Sequence, residues 1–183
     1  MKGDIIPDGQ FLYKYAKPDF LPEDQPEIPF GIFEDESLSC DWAAHQLRPE
    51  YSFHIFEGKT VILRIAVCDE IRNPTNPKQS RHKQPALAQI IEHDPVSKGD
   101  DPNHPDIENY SHSLIRGKKK ILVTSAIARN SEIYKRVNPD DLPNPTELKE
   151  KARVMQEPAF KMGPALIISI IVIVILTLII VLW

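Results

Sequence analysis

Apolar and polar residues alternate most regularly in the segment 59–67, and this alternation predicts a β-strand with one buried face. The side chains on one face are Val61, Leu63, Ile65 and Val67, and those on the other are Thr60, Ile62, Arg64 and Ala66. Gly58 can adopt the positive φ of a tight turn. The segment 52–56 is therefore predicted to pair antiparallel with 59–67, and this hairpin to form the centre of a sheet.

Three further segments have the composition and length of strands: 11–15, 86–93 and 110–116, the last ending at Gly117. Between 118 and 136 the apolar residues recur at the three- and four-residue intervals of an amphipathic helix, which Asn138-Pro139 ends. A shorter helix is predicted around Trp42, within 38–47. The fold class expected is α+β, a small antiparallel sheet with one packed helix.

The segment 162–183 has no alternation at all, because it is apolar throughout and carries no charged side chain. As a helix with a rise of ~1.5 Å per residue it would span ~30 Å, which matches the hydrocarbon thickness of a bilayer. Its polar side chains, Ser169 and Thr177, can hydrogen-bond to the backbone of their own helix. The sequence therefore predicts a single C-terminal transmembrane helix.

The orientation of this helix follows from the basic residues that flank it. Lys149, Lys151, Arg153 and Lys161 precede the span and none follows it, so the preceding domain is expected to face the cytoplasm. Residues 1–10 contain no apolar run typical of a secretory signal. The expected layout is that of a tail-anchored, single-pass membrane protein.

These predictions divide the chain into four parts. Residues 1–10 are expected to be a flexible N-terminus, and 11–137 a cytoplasmic α+β domain. The segment 138–161 is predicted to be a proline-rich linker followed by a juxtamembrane helix over 147–157, with Thr146 as its N-cap. The transmembrane helix, 162–183, completes the layout.

Composition narrows the choice of partners for the predicted cytoplasmic domain. The chain has 183 residues and a formal net charge of −4, and all of its charged side chains precede residue 162. A mildly acidic domain gives no reason to expect nucleic acid as a partner. The two cysteines, Cys40 and Cys68, have no metal-binding or redox spacing, so they are expected to be small packing residues. No cofactor is predicted.

Imidazole and carboxylate side chains are concentrated in the loop 93–112, with one further histidine in 52–56. Together such groups can bind a divalent metal or activate water, which makes them candidates for catalysis. The candidates are His54, His93, Asp94, His104, Asp106 and His112. Their spacing matches no metal-binding signature, so no metal site is assigned, and a turn-rich loop is the alternative interpretation.

A run of basic residues lies where the helix 118–136 is predicted to begin. It comprises Arg116, Lys118, Lys119 and Lys120. Positive charge at a helix N-terminus opposes the helix dipole, so these residues are candidates for contact with an anion or a lipid headgroup. The alternative is a solvated start of the helix.

The function expected from these features is a membrane-tethered domain that binds a partner or a ligand. The alternative is a membrane-tethered, metal-dependent hydrolase or nuclease that uses the loop 93–112, or an effector that perturbs the membrane. Phosphate-binding loops, the dinucleotide fingerprint and the GxSxG elbow are absent from the sequence. The sequence therefore indicates no nucleotide-dependent enzyme.

Overall fold

A computed structural model describes residues 2–23, 27–46, 48–54, 58–75, 87–100, 106, 108–141, 144 and 146–147. These residues form an α+β fold built on a six-stranded antiparallel sheet. The strands are β1 (Phe11–Ala16), β2 (Ser37–Trp42), β3 (Val61–Ala66), β4 (Ile90–His93), β5 (His112–Arg116) and β6 (Ser131–Arg136). The α-helices are α1 (Asp69–Arg72) and α2 (Ile121–Arg129). Short 3-10 helices cover Pro18–Phe20, Phe30–Phe33, Ala43–His45, Pro49–His54 and Pro139–Asp141.

The order of strands across the sheet is β4-β5-β2-β1-β3-β6. One face packs against α2, α1 and the 3-10 helix Phe30–Phe33, and the main core lies between these layers. Val61, Leu63 and Ile65 of β3 are buried in this core, as their alternation predicts. Each such side chain contributes about 1.5–3 kcal/mol relative to an exposed position.

The second face of the sheet is covered over part of its area by residues 43–46 and 48–53. Phe53 packs on Tyr15 with the ring centroids 5.6 Å apart, and Tyr13 and Ile62 complete this smaller apolar cluster. The neighbouring part of this face, on β2, β4 and β5, carries mainly polar side chains.

The predicted hairpin is wrong about the partner of β3. Pro49–His54 forms a 3-10 helix, and β3 pairs with β1 on one side and β6 on the other. Gly58 does adopt a positive φ, 72°, as the turn prediction required. Both backbone edges of β3 are paired, with β1 and β6, so no edge is left for the 49–54 segment, which instead packs Phe53 onto the second face of the sheet.

The predicted helix at 38–47 is also wrong. Residues 37–42 form β2, which pairs with β1 and β5, and only Ala43–His45 are helical, in a 3-10 turn. Leu38 and Cys40 are fully buried on one side of the strand. Burial of both these side chains in the sheet core outweighs the helix propensity of the residues that follow.

The amphipathic helix predicted over 118–136 is confirmed only in its first half. It begins at Ile121 and ends at Arg129, and residues 131–136 form the edge strand β6. Ile133 lies opposite Leu63, and a register shift follows between Ile62 and Leu63. Such a shift breaks the strict two-residue period of a strand, which is why the apolar residues of β6 mimic helical spacing.

The strands predicted within 86–93 and 110–116 are confirmed as β4 and β5, which pair with each other. Gly117 ends β5 with a φ of 138°, and a Cβ atom there would lie 2.8 Å from the Ala88 carbonyl oxygen. Both the backbone angle and this close approach require glycine.

The N-terminal segment that was expected to be flexible lies along the edge of β4. The Gly3 N–H donates to the His93 carbonyl, the His93 N–H donates to Asp4, and the Ile6 N–H donates to Ile91. Ile6 is fully buried in the main core. Residues 3–6 therefore act as a short extension of the sheet.

The C-terminal predictions lie largely outside the described residues. Asn144 Oδ1 accepts a hydrogen bond from the Glu147 N–H at 2.9 Å, and the predicted helix 147–157 with its N-cap Thr146 stays a prediction. Within the described ranges, no helix is long and apolar enough to cross a bilayer. The segment 162–183 and most of the predicted helix 147–157 are not among those ranges.

Candidate functional site

The end of β4 and the start of β5 place three of the predicted site residues at one end of the sheet, with Asp94 and His112 in contact and the His93 side chain on the opposite face. His93 ends β4 and Asp94 follows it, while His112 begins β5 and pairs with Asp41 of β2. Because β4 and β5 are antiparallel, these positions lie at the same end of the sheet. The local pairing therefore brings Asp94 and His112 into contact, although they are 18 positions apart in the sequence.

The side chain of His112 is held at both ring nitrogens. Nδ1 lies 2.7 Å from the Asp94 carbonyl oxygen and 3.9 Å from Asp94 Oδ2. A carbonyl oxygen only accepts, so Nδ1 carries a proton, and in the neutral form of the ring Nε2 is then an acceptor. Nε2 lies 3.0 Å from Ser39 Oγ, which therefore donates to it. Ser39, His112 and Asp94 have the order and spacing of a hydroxyl, a base and a group that orients the base.

The Asp94 carboxylate also joins an ion-pair network at the edge of the sheet. Arg116 Nη2 lies 3.5 Å from its Oδ2, and Lys2 Nζ lies 3.4 Å from its Oδ1. Arg116 Nε is 2.5 Å from Glu92 as well. Arg116, which was predicted to contact an anion, is thus bound to carboxylates of its own fold.

His93 lies in a cluster of rings formed with Trp42, His45 and Tyr110. The His93 ring is 5.0 Å from His45, 5.2 Å from Tyr110 and 5.4 Å from Trp42, measured between centroids. Its Nε2 donates to the Tyr110 carbonyl oxygen at 2.5 Å. Its Nδ1 is buried without a hydrogen-bond partner in the described part of the chain. Burial and the neighbouring His93 lower the pKa of His45.

Asp41 is fully buried on the second face and accepts hydrogen bonds from three neutral side chains. Tyr15 Oη lies 2.8 Å and Ser52 Oγ 2.7 Å from its Oδ2, and Asn109 Nδ2 lies 2.8 Å from its Oδ1. Burial, followed by the charge of Asp41, raises the pKa of Tyr15 well above its usual value. We call Tyr15, Asp41, Ser52 and Asn109 the Asp41 network. It joins the central strands to the covering segment and to the start of β5.

The remaining predicted histidines and acids do not join this cluster among the described residues. Asp106 is exposed and lies 3.7 Å from Lys98. His104 and the side chain of His54 lie outside what the structure describes. In the described ranges, no group of three or more histidine, cysteine, aspartate or glutamate side chains is arranged to hold a metal ion.

The lysines of the predicted basic run differ sharply in environment. Lys118 and Lys120 are exposed. Lys119 Nζ instead lies 2.7 Å from Gln89 Oε1, 2.9 Å from the Ile115 carbonyl and 3.0 Å from the Gly117 carbonyl. Burial lowers the pKa of Lys119 to about 8. The Lys119 ammonium therefore donates to carbonyl oxygens at the end of β5, whereas Lys118 and Lys120 face solvent.

A cavity that no sequence pattern indicated lies beside the end of β1. Its volume is about 370 Å³, and it is lined by Lys14, Lys17 and Lys59 together with Ala16, Phe20, Pro29, Ile32 and Asp35. We call it the lysine cavity. Lys14 is only 8% exposed, and its Nζ lies 3.2 Å from the Ser39 carbonyl oxygen. Burial, followed by the charge of Lys14, lowers the pKa of Lys59.

Sequence reasoning did not find Ser39 or the lysine cavity. Ser39 lies in a strand that was predicted to be a helix, and Lys14 and Lys59 come together only because β1 pairs with β3. Comparison with known proteins adds no assignment, because no family model, no curated protein and no solved structure matches the chain.

Proposed function

We propose that the chain is a single-pass membrane protein whose α+β domain faces the cytoplasm and binds a ligand. The uncharged segment 162–183 supports the membrane anchor, and the preceding basic residues support the orientation. The linker 138–161 would then hold the domain beside the bilayer. In this arrangement the domain meets its ligand at the membrane surface.

The observation that carries ligand binding is the lysine cavity. Its volume of about 370 Å³ falls within the range of about 300–1,000 Å³ that is usual for small-molecule sites. Apolar side chains such as Ile32 and Phe20 form part of its wall, and a small number of charged groups converge on it. This combination of an apolar surface with a few polar anchors is typical of ligand pockets.

The membrane anchor is tested by washing membranes with alkaline carbonate. The full-length chain should stay with the membranes, whereas a chain ending at Glu157 should be released. Protease added outside sealed right-side-out cells should leave the domain intact. Recovery of the full-length chain in the wash, or digestion of the domain from outside, would refute the anchor or the orientation respectively.

Ligand binding is tested by filling the lysine cavity. Gly31 lines the cavity, has a negative φ and has only Glu34 Oε1, at 3.8 Å, near an added Cβ, so Gly31→Trp can place its ring in the open space. Native mass spectrometry of the full-length chain should show a small molecule that co-purifies with the wild type and is lost from Gly31→Trp. Identical spectra for both proteins, with equal folded content, would contradict the proposal.

A second candidate function, hydrolysis, is favoured by the 3.0 Å contact between Ser39 and His112. In a hydrolase the Ser39 hydroxyl would transfer its proton to His112 Nε2 and attack an acyl carbon. The bond from that carbon to the leaving group would break, with His112 returning the proton to the leaving group, and water would then hydrolyse the acyl-serine. A metal-dependent form would require further ligands, and His104 lies outside the described residues. A fluorophosphonate probe should then label Ser39 but not Ser37, which lies on the same strand two positions away. Labelling that survives Ser39→Ala would exclude this function.

A further inference from the structure

We infer that the lysine cavity binds a phosphate monoester whose organic part is apolar. This inference rests on the proposed ligand-binding function and names the chemistry of the ligand. Three features of the described residues support it: the net positive charge of the cavity, the burial of Lys14 and the apolar wall.

The charged side chains of the cavity leave an excess of positive charge. Lys14, Lys17 and Lys59 contribute three positive charges and Asp35 one negative charge, so the net charge is +2 when all are ionised. A phosphate monoester carries a charge of about −1.5 to −2 at neutral pH and has three strong acceptor oxygens. It therefore matches the cavity in charge and offers an acceptor for each ammonium group.

Lys14 is the residue that most needs such a partner. Its side chain is more than nine-tenths buried, and among the described residues its ammonium contacts a neutral carbonyl and forms no ion pair. A buried charge is costly unless it is both paired and hydrogen-bonded. Burial and the charge of Lys14 lower the pKa of Lys59, because both disfavour its ammonium form, whereas the charge of Asp35 opposes them. A bound phosphate would stabilise both charges.

The wall of the cavity indicates what is attached to the phosphate. Ala16, Pro29 and Ile32 line it, and Phe20 lies at its side with 59% of its surface exposed. Covering an exposed phenyl ring beside a cavity with an apolar group lowers the free energy, because apolar surface is removed from water. The ligand therefore needs an apolar or aromatic body next to its phosphate, which both soluble phosphate esters and phosphatidate lipids supply.

The test uses the full-length chain in nanodiscs of phosphatidylcholine, with phenyl phosphate as the probe and phenol as the uncharged control. Titration calorimetry should detect binding of phenyl phosphate and no binding of phenol. Lys14→Met and Lys59→Met should each weaken binding by about tenfold or more, because each removes a charge-assisted hydrogen bond to the phosphate. Lys118→Met, which removes an exposed lysine outside the cavity, should bind as the wild type does.

The two sources of phosphate are separated by repeating the titration in nanodiscs that also contain phosphatidic acid. A fall in the apparent affinity for phenyl phosphate that disappears in Lys14→Met identifies the lipid headgroup as a competitor. An unchanged affinity identifies a soluble ester. Either result supports a phosphate site in the cavity.

Loss of binding through unfolding is excluded by the melting temperature. Met is close to Lys in length, and removal of a buried charge offsets the lost hydrogen bond to the Ser39 carbonyl, so Lys14→Met should melt close to the wild type. The inference is overturned if phenyl phosphate does not bind, or if both lysine variants bind it normally. A phosphate-free molecule that is lost from Gly31→Trp would overturn the inference and leave the proposed ligand-binding function intact.

Discussion

Replacing Tyr15 with phenylalanine tests whether the Asp41 network stabilises the fold. The substitution removes one hydroxyl group, which contacts Asp41 Oδ2 at 2.8 Å and the Pro49 carbonyl at 3.0 Å. The phenyl ring remains, so its edge contact with Phe53 is kept and no large cavity forms. A hydrogen bond to a charged group contributes about 1.5–3 kcal/mol, so we expect Tyr15→Phe to lower the free energy of unfolding by about 2–3 kcal/mol.

The assay is urea unfolding of the full-length chain in mild detergent, followed by circular dichroism. A lower midpoint with an unchanged m-value is expected, because the substitution alters stability without altering the surface exposed. Tyr13→Phe is the matched control. Tyr13 lies on the same strand and the same face, but its hydroxyl interacts with neutral Tyr134. We expect the control to lose about 1 kcal/mol or less.

A double substitution sharpens this test, because Ser52 and Tyr15 donate to the same carboxylate oxygen. Removing both hydroxyls leaves Oδ2 of Asp41 without either of these donors. The double variant Tyr15→Phe with Ser52→Ala should therefore lower the free energy of unfolding by more than the sum of the losses in the two single variants. Simple additivity would show that the network does not act as a unit. A loss in Tyr15→Phe no larger than that in the Tyr13 control would refute the reasoning altogether.

Three further predictions follow from burial. The pKa of Cys40 is raised to about 12 by burial, so iodoacetamide at mildly alkaline pH should modify the partly buried Cys68 and spare Cys40, as peptide mass spectrometry can show. Lys119→Met should destabilise the domain by about 1–3 kcal/mol in urea unfolding, because it leaves buried oxygens without a donor, whereas Lys118→Met should have little effect. The pKa of His45 is lower in the folded than in the unfolded chain, so below a pH of about 6.5 the unfolded chain binds more protons. The free energy of unfolding of the wild type should therefore decline more steeply on acidification than that of His45→Gln.

The sequence predicts an element well where one physical requirement dominates. In β3 the buried face requires an apolar residue at every second position, so the strand and its orientation are evident. At 131–136 a change of register breaks that period, and the strand resembles the end of a helix. The pairing of strands was not predictable either, because alternation indicates which face is buried and does not identify the neighbour.

The candidate site was predictable only where its residues are close in the chain. His93 and Asp94 are adjacent, and His112 meets Asp94 because β4 and β5 are neighbours in both sequence and space. Ser39 contacts His112 across 73 positions, and the sequence carries no signal for that contact. Lys14 and Lys59 resemble ordinary surface lysines until the pairing of β1 with β3 places them in one cavity.

The two outer strands of the sheet are guarded against aggregation in different ways. On β4, residues 3–6 occupy the backbone groups that would otherwise be open to a strand from another molecule. On β6, the register shift and the charged side chains of Glu132 and Lys135 oppose such pairing. Deleting the first six residues, or forcing them away with a rigid fusion, would therefore expose β4 as a template for intermolecular β-structure, and purification tags are better placed elsewhere.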